Sequence, residues 1–183
     1  MKKKIYRFTM LTIMGTAMAL MMAGCGKDNN DNTAKESTEQ TDNKETDDKE
    51  DKNINLDTQE IADAILEGGE FKDSLATVAK EMALGRLYAL DAAQIDSAAF
   101  YTNSNATAEE IAVIKTTSAD YVATVKEAYE KRVSDQKVAC ENYLPDEMPK
   151  LESAVIYTQG NYVILCVSEN SDKAESIIKD LFE

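Results

Sequence analysis

From Ser118 to Leu144, apolar residues recur at Tyr121, Val122, Val125, Tyr129, Val133, Cys140, Tyr143 and Leu144, with Gln136 the one polar member of the stripe. That spacing is helical and predicts the longest element of the chain. Thr117-Ser118-Ala119-Asp120 resembles a capping box at its start, and Pro145 and Pro149 block its continuation. The opposite face carries Lys126, Glu127, Glu130, Lys131, Asp135, Lys137 and Glu141 and reads as solvated, with Glu127 and Lys131 spaced for an i,i+4 ion pair. Upstream, Asp57 and Glu60 are spaced to cap a helix whose inner face is Ile61, Ala64 and Ile65. Leu56 is placed to staple onto Ile61, and Gly68-Gly69 stops the helix. Lys80 to Leu87 predicts a second, short helix weakened by Gly85, and Phe71 to Leu75 reads as either a short strand or a loop.

Strand periodicity appears in four places. Ala98 to Thr102 and Glu110 to Lys115 flank the polar run Asn103-Ser104-Asn105-Ala106-Thr107, which predicts a hairpin, with a short helix over Ala108–Ala112 as the competing reading. Ala154 to Thr158 and Tyr162 to Val167 are separated by Gln159-Gly160-Asn161, a stronger hairpin signal. The run from Tyr162 is apolar on both parities, as expected of a central strand covered on both faces. Asn170 to Phe182 then places Ala174, Ile177, Ile178, Leu181 and Phe182 at helical spacing. The predicted class is α+β: an antiparallel sheet of about four strands, in two hairpins, packed against a long amphipathic helix and shorter helices. A segment of this size can bury a core without covalent staples.

Charge divides the 183 residues into three parts, 1–24, 25–53 and 54–183. Lys2, Lys3, Lys4 and Arg7 precede an uncharged run from Phe8 to Gly24, the layout of a secretory signal. The run is short for a membrane span and interrupted by Thr9, Thr12, Gly15 and Thr16. It ends in Met22-Ala23-Gly24-Cys25, which resembles the lipobox of bacterial lipoproteins, with Met22 at a position usually held by leucine. The resemblance implies diacylglyceryl transfer to the Cys25 thiol, cleavage between Gly24 and Cys25, and a lipid-anchored protein on the extracytoplasmic face of the cell membrane. Two acyl chains, at ~0.8 kcal/mol per buried CH₂, suffice for durable attachment.

Residues 27–53 contain one apolar residue, Ala34, among five lysines and ten acids. Such a segment cannot bury enough surface to offset its ordering entropy and reads as a disordered tether with a mean reach of roughly 30 Å. Asp28, Asn30, Asn32, Glu36 and Glu39 sit at calcium-loop spacing, but Thr33 replaces the glycine the turn requires, so no metal site is assigned. Residues 54–183, with 11 basic and 24 acidic residues, form the globular domain. The whole chain has a net charge of −14, which argues against nucleic acid.

Within that domain, Glu109 to Lys115, the long helix, Tyr143-Leu144-Pro145, and Leu151 to Val167 with Gly160-Asn161-Tyr162-Val163 resemble a bacterial lipoprotein family known only as domain of unknown function 4358. The resemblance implies the architecture and the envelope location, and it carries no catalytic residue or cofactor.

The residues themselves offer little chemistry. There is no histidine, which removes Ser-His-Asp and Cys-His mechanisms. Cys140 and Cys166 read as buried thiols, with a disulfide between them or a reactive thiol as alternatives. Glu109-Glu110 is the most suggestive carboxylate pair, although neighbours on a strand point to opposite faces, and no acid stands in an evidently apolar setting. Gly68-Gly69 lacks the residues of a phosphate-binding loop. Tyr121, Tyr129 and Tyr143 read as core rather than as a sugar platform. The expected function is a non-enzymatic binding, sensing or assembly module meeting an envelope protein or wall partner. An envelope hydrolase using carboxylates is the alternative, and a solute-binding component would need two lobes that this length makes difficult.

Overall fold

The computed structural model describes residues 55–103 and 107–183. Gly24, Cys25, the signal-like run, the acidic tether with its calcium-like spacing, and the centre of the loop after Asn103 lie outside them.

The chain runs through α1 (Thr58–Gly68), β1 (Leu75–Thr77), α2 (Lys80–Met82), β2 (Ile95–Asn103), β3 (Glu110–Thr116), α3 (Val122–Cys140), α4 (Met148–Glu152), β4 (Val155–Gln159), β5 (Tyr162–Val167) and α5 (Ser171–Phe182). All strand pairs are antiparallel, in the order β1-β2-β3-β5-β4. The two expected hairpins, β2–β3 and β4–β5, are present, and β5 lies against β3 to join them. Residues 110–116 are strand, so the competing helix over Ala108–Ala112 is absent. β1 corrects the count of four strands to five. Its three residues carry too short an alternation to stand out in sequence, and pairing with β2 is what makes them a strand.

The sheet separates two cores. On one face Ala112, Ile114 and Leu165 meet Val125, Tyr129 and Val133 of α3. On the other, Ile111, Val113 and Ile164 meet Ile61 and Ile65 of α1 and Ile178 of α5. Every residue of β5 is buried, because helices cover it from both sides. Asp57 caps α1 as its spacing predicts, accepting from the amides of Gln59 and Glu60, and Asn170 caps α5 through the amide of Lys173. The hydroxyl of Tyr162 accepts from the Leu56 amide and donates to the Leu56 carbonyl, fixing the approach to α1.

Three local expectations change. The helix of 80–87 is one α turn that widens into a π-helical turn over Ala83–Tyr88. α3 starts behind a 3₁₀ turn at Ala119–Tyr121 and stops at Cys140, short of Leu144. Among the described residues no side chain caps it: the Thr116 hydroxyl donates to the Ser118 carbonyl and that of Thr117 to the Gln94 carbonyl, so the capping-box spacing serves the preceding turn. Tyr143 therefore leaves the stripe and is 86% exposed. On the solvated face Lys131 pairs with Asp135 and Lys126 with Glu130, rather than Lys131 with Glu127.

Two glycines are held by geometry. Gly160 opens the β4–β5 turn at φ +53°, in the left-handed region. At Gly69, which ends α1, an added Cβ would lie 2.6 Å from the Ile65 carbonyl oxygen and 2.7 Å from the Phe71 ring. Backbone must shift to admit it, so Gly69→Ala is expected to lower stability by about 1–3 kcal/mol in urea denaturation.

Candidate functional site

The most concentrated polar chemistry lies at the start of β3, where Glu109 and Glu110 are each 1% exposed. Their burial is not legible in the sequence, and the setting that encloses them is ionic and hydrogen-bonded rather than apolar. The opposed directions expected of neighbours are observed, and each carboxylate enters a separate ionic network.

Glu110 turns toward α3. Its Oε2 accepts from Arg132 Nη2 at 2.8 Å and Nε at 3.1 Å, and from Gln136 Nε2 at 3.3 Å. Its Oε1 accepts from the buried hydroxyl of Tyr88, delivered by the π-helical turn. Tyr88 also stands edge-on to Tyr129, with centroids 5.1 Å apart. Burial, and then the Glu110 charge, push the Tyr88 hydroxyl well above its ordinary pKa, and the same two causes act on Tyr129. Burial opposes the charge on Arg132, but the bonds to Glu110 outweigh it and hold the guanidinium charged.

Glu109 turns toward α4 and the loop before β1. Its two oxygens accept from the amides of Lys72 at 2.7 Å and Asp73 at 3.1 Å. Lys150 of α4 donates to Glu109 at 3.1 Å and to Glu147 at 3.3 Å, and its ammonium pairs with the Glu169 carboxylate at 2.7 Å. Three ammonium hydrogens thus meet three carboxylates. Glu147 also accepts from the amide of Ala108 at 3.0 Å. Burial disfavours the Lys150 charge, but Glu169, Glu109 and Glu147 more than offset that and raise its pKa.

These networks join segments far apart in the chain, and that is their evident chemistry. Glu109 is bonded to Lys150 and two backbone amides, Glu110 to Arg132, Gln136 and Tyr88, and among the described residues the two share no partner on which both could act. Cys140 and Cys166 are both free and buried on opposite faces of the sheet, so the disulfide alternative is absent. Burial raises both thiols, Cys166 to about 12, which leaves neither poised as a thiolate. Tyr129 is core as expected, Tyr121 is half-buried, and Tyr143 is exposed. Gly68 and Gly69 end a helix, as their spacing predicts.

Sequence reasoning missed Tyr88, Arg132, Glu147, Lys150 and Glu169. One signal was available on α3: Arg132 is four residues before Gln136 and three after Tyr129, so the polar break in the stripe has a charged neighbour on the same face. For Lys150 the local signal is Glu147 three residues before it, which marks a pair but not its burial or its other partners.

A five-stranded antiparallel sheet between helical layers, stitched at one end of its central strand by two buried ionic networks, defines an α+β domain. A family model described as "Domain of unknown function (DUF4358)" matches residues 69–168, more than half the chain, and the chain belongs to that family. The match takes in the whole sheet, α3 and both networks except Glu169, and leaves out α1 and α5. No curated protein and no solved structure matches the chain.

Proposed function

We propose that the protein is a lipoprotein held at the extracytoplasmic face of the cell membrane through Cys25, and that its folded domain is a non-enzymatic binding module of the envelope. The observation that carries the reading is the N-terminal order of lysines, an apolar run, and Ala23-Gly24 directly before Cys25. Support for binding over hydrolysis comes from the enclosed carboxylates, which are engaged by Arg132, Lys150 and backbone amides instead of converging on a cleft. An inverting or retaining glycosidase would need two carboxyl groups flanking one bond.

Metabolic labelling with a clickable fatty acid tests the anchor. The full chain is expected to take the label and partition with membranes, and Cys25→Ala to lose the label. A labelled Cys25→Ala variant, or an unlabelled wild type retaining Met1, would overturn the assignment.

A further inference from the structure

β4 is the outer strand on its side of the sheet. It pairs with β5 from Val155↔Cys166 to Gln159↔Tyr162 around the two-residue turn Gly160-Asn161. In such a hairpin the residues flanking the turn exchange both hydrogen bonds, and the pattern alternates from there. Val155, Tyr157 and Gln159 therefore bond inward, while Ile156 and Thr158 direct their N–H and C=O groups away from the sheet. Among the described residues no backbone group meets them there.

Natural edges are commonly blunted by shortness, charge or proline. β1, at the other edge, has three residues, whereas β4 has five, Val-Ile-Tyr-Thr-Gln, with neither charge nor proline. Beside this edge, between α3, α4 and β4, lies a groove of about 280 Å³. Val133, Leu151 and Ile156 supply its apolar surface, with Glu130, Glu152 and Lys137 at its sides. The side chain of Ile156 packs on the α3 face and that of Tyr157 on the α5 face. Alternate side chains of a strand added to β4 would therefore enter the groove beside Ile156. Of the charges lining the groove, Glu130 is paired with Lys126, while Lys137 and exposed Glu152 make no ion pair among the described residues. Acids outnumber bases 24 to 11 across 54–183, so the wider surface around the groove, more than its own lining, favours a cationic occupant.

We propose that β4 takes up an extended segment of a partner protein as a sixth strand, with apolar side chains seated in the groove and basic residues flanking them. Backbone hydrogen bonds supply affinity, and the groove with its acidic surroundings supplies selectivity. The inference rests on the reading of the domain as a binding module and not on Cys25, so failure of the lipid label would leave it intact.

The test uses the full chain and a blocked peptide of alternating valine and threonine with two lysines at each end. Saturable binding is expected, with slowed hydrogen exchange at the amides of Ile156 and Thr158. Thr158→Pro removes an outward donor without touching the β5 ladder and is expected to weaken binding about tenfold. Glu152→Lys is expected to weaken it as well while favouring the same peptide flanked by glutamates, and added salt to reduce the difference. Absence of saturable binding, equal binding of the two peptides, or binding unchanged in both variants overturns the proposal. So does a dimer that Thr158→Pro converts to monomer, since the edge would then belong to a second copy.

Discussion

Lys150→Met is expected to destabilise the protein by about 3–5 kcal/mol, the range for removing one partner from a buried ion pair. Methionine keeps the unbranched apolar stem, so the effect reports charge rather than packing. The lysine is 6% exposed and answers Glu109, Glu147 and Glu169, whose carboxylates would then face one another with no cation between them. Among the described residues, Glu109 and Glu147 would keep only their backbone amides. Adding Glu147→Gln to Lys150→Met should restore part of the loss by removing one uncompensated charge, a non-additivity that packing damage would not produce. Glu169→Gln alone should cost less than 1 kcal/mol, because that side chain is 43% exposed. Urea denaturation of wild type, Lys150→Met, Glu147→Gln, their double variant and Glu169→Gln at neutral pH measures all of this. A Lys150→Met midpoint equal to wild type would mean that the ammonium does not hold these segments together.

What the sequence made legible follows from how local each cause is. The β4–β5 hairpin was readable because a turn glycine and two β-branched runs lie within a dozen residues, and the α1 cap because Asp57 and its amide donors are neighbours. β1 was not, because three residues become a strand only when Tyr101 to Asn103 lie beside them. The end of α3 was overestimated since Tyr143 and Leu144 continue the apolar spacing, while their amides both turn back to the Cys140 carbonyl. The ionic networks were the least accessible. Glu109 and Lys150 are 41 residues apart, and Tyr88 and Glu110 are 22 apart. A charged residue advertises a solvated face unless its partner is known, and no periodicity announces a partner from another element. Glu109 and Glu110 were noticed for their adjacency. Their burial came from the position of β3 between β2 and β5, which only the assembled sheet reveals.

Stability is expected to fall steeply above pH 9, for a reason that follows from the same enclosure. Burial raises the Cys166 thiol from its ordinary 9.0 to about 12, and raises the hydroxyls of Tyr88 and Tyr129 well above 10.0. All three groups are neutral when protonated, and the unfolded chain releases their protons at the ordinary values while the native protein retains them. The native state thus binds more protons, and its stability declines as pH rises. The contribution of Cys166 is complete below pH 9 and is lost through about pH 12, whereas that of the tyrosines is complete below pH 10 and begins to be lost there. Each group adds a slope of about 1.4 kcal/mol per pH unit while only the unfolded state titrates. Tyr129→Phe is the informative variant, because the Tyr129 hydroxyl is buried without a hydrogen-bond partner among the described residues. Its removal should leave neutral-pH stability unchanged or raised by up to about 1 kcal/mol, and should make the alkaline decline shallower. Cys166→Ala should also flatten the decline, from a lower starting stability, because it leaves a small cavity in the core beneath α1 and α5. Urea midpoints of the three proteins between pH 7 and 11 decide the matter. A wild-type stability that stays level to pH 11 would mean that these side chains reach solvent in the native protein.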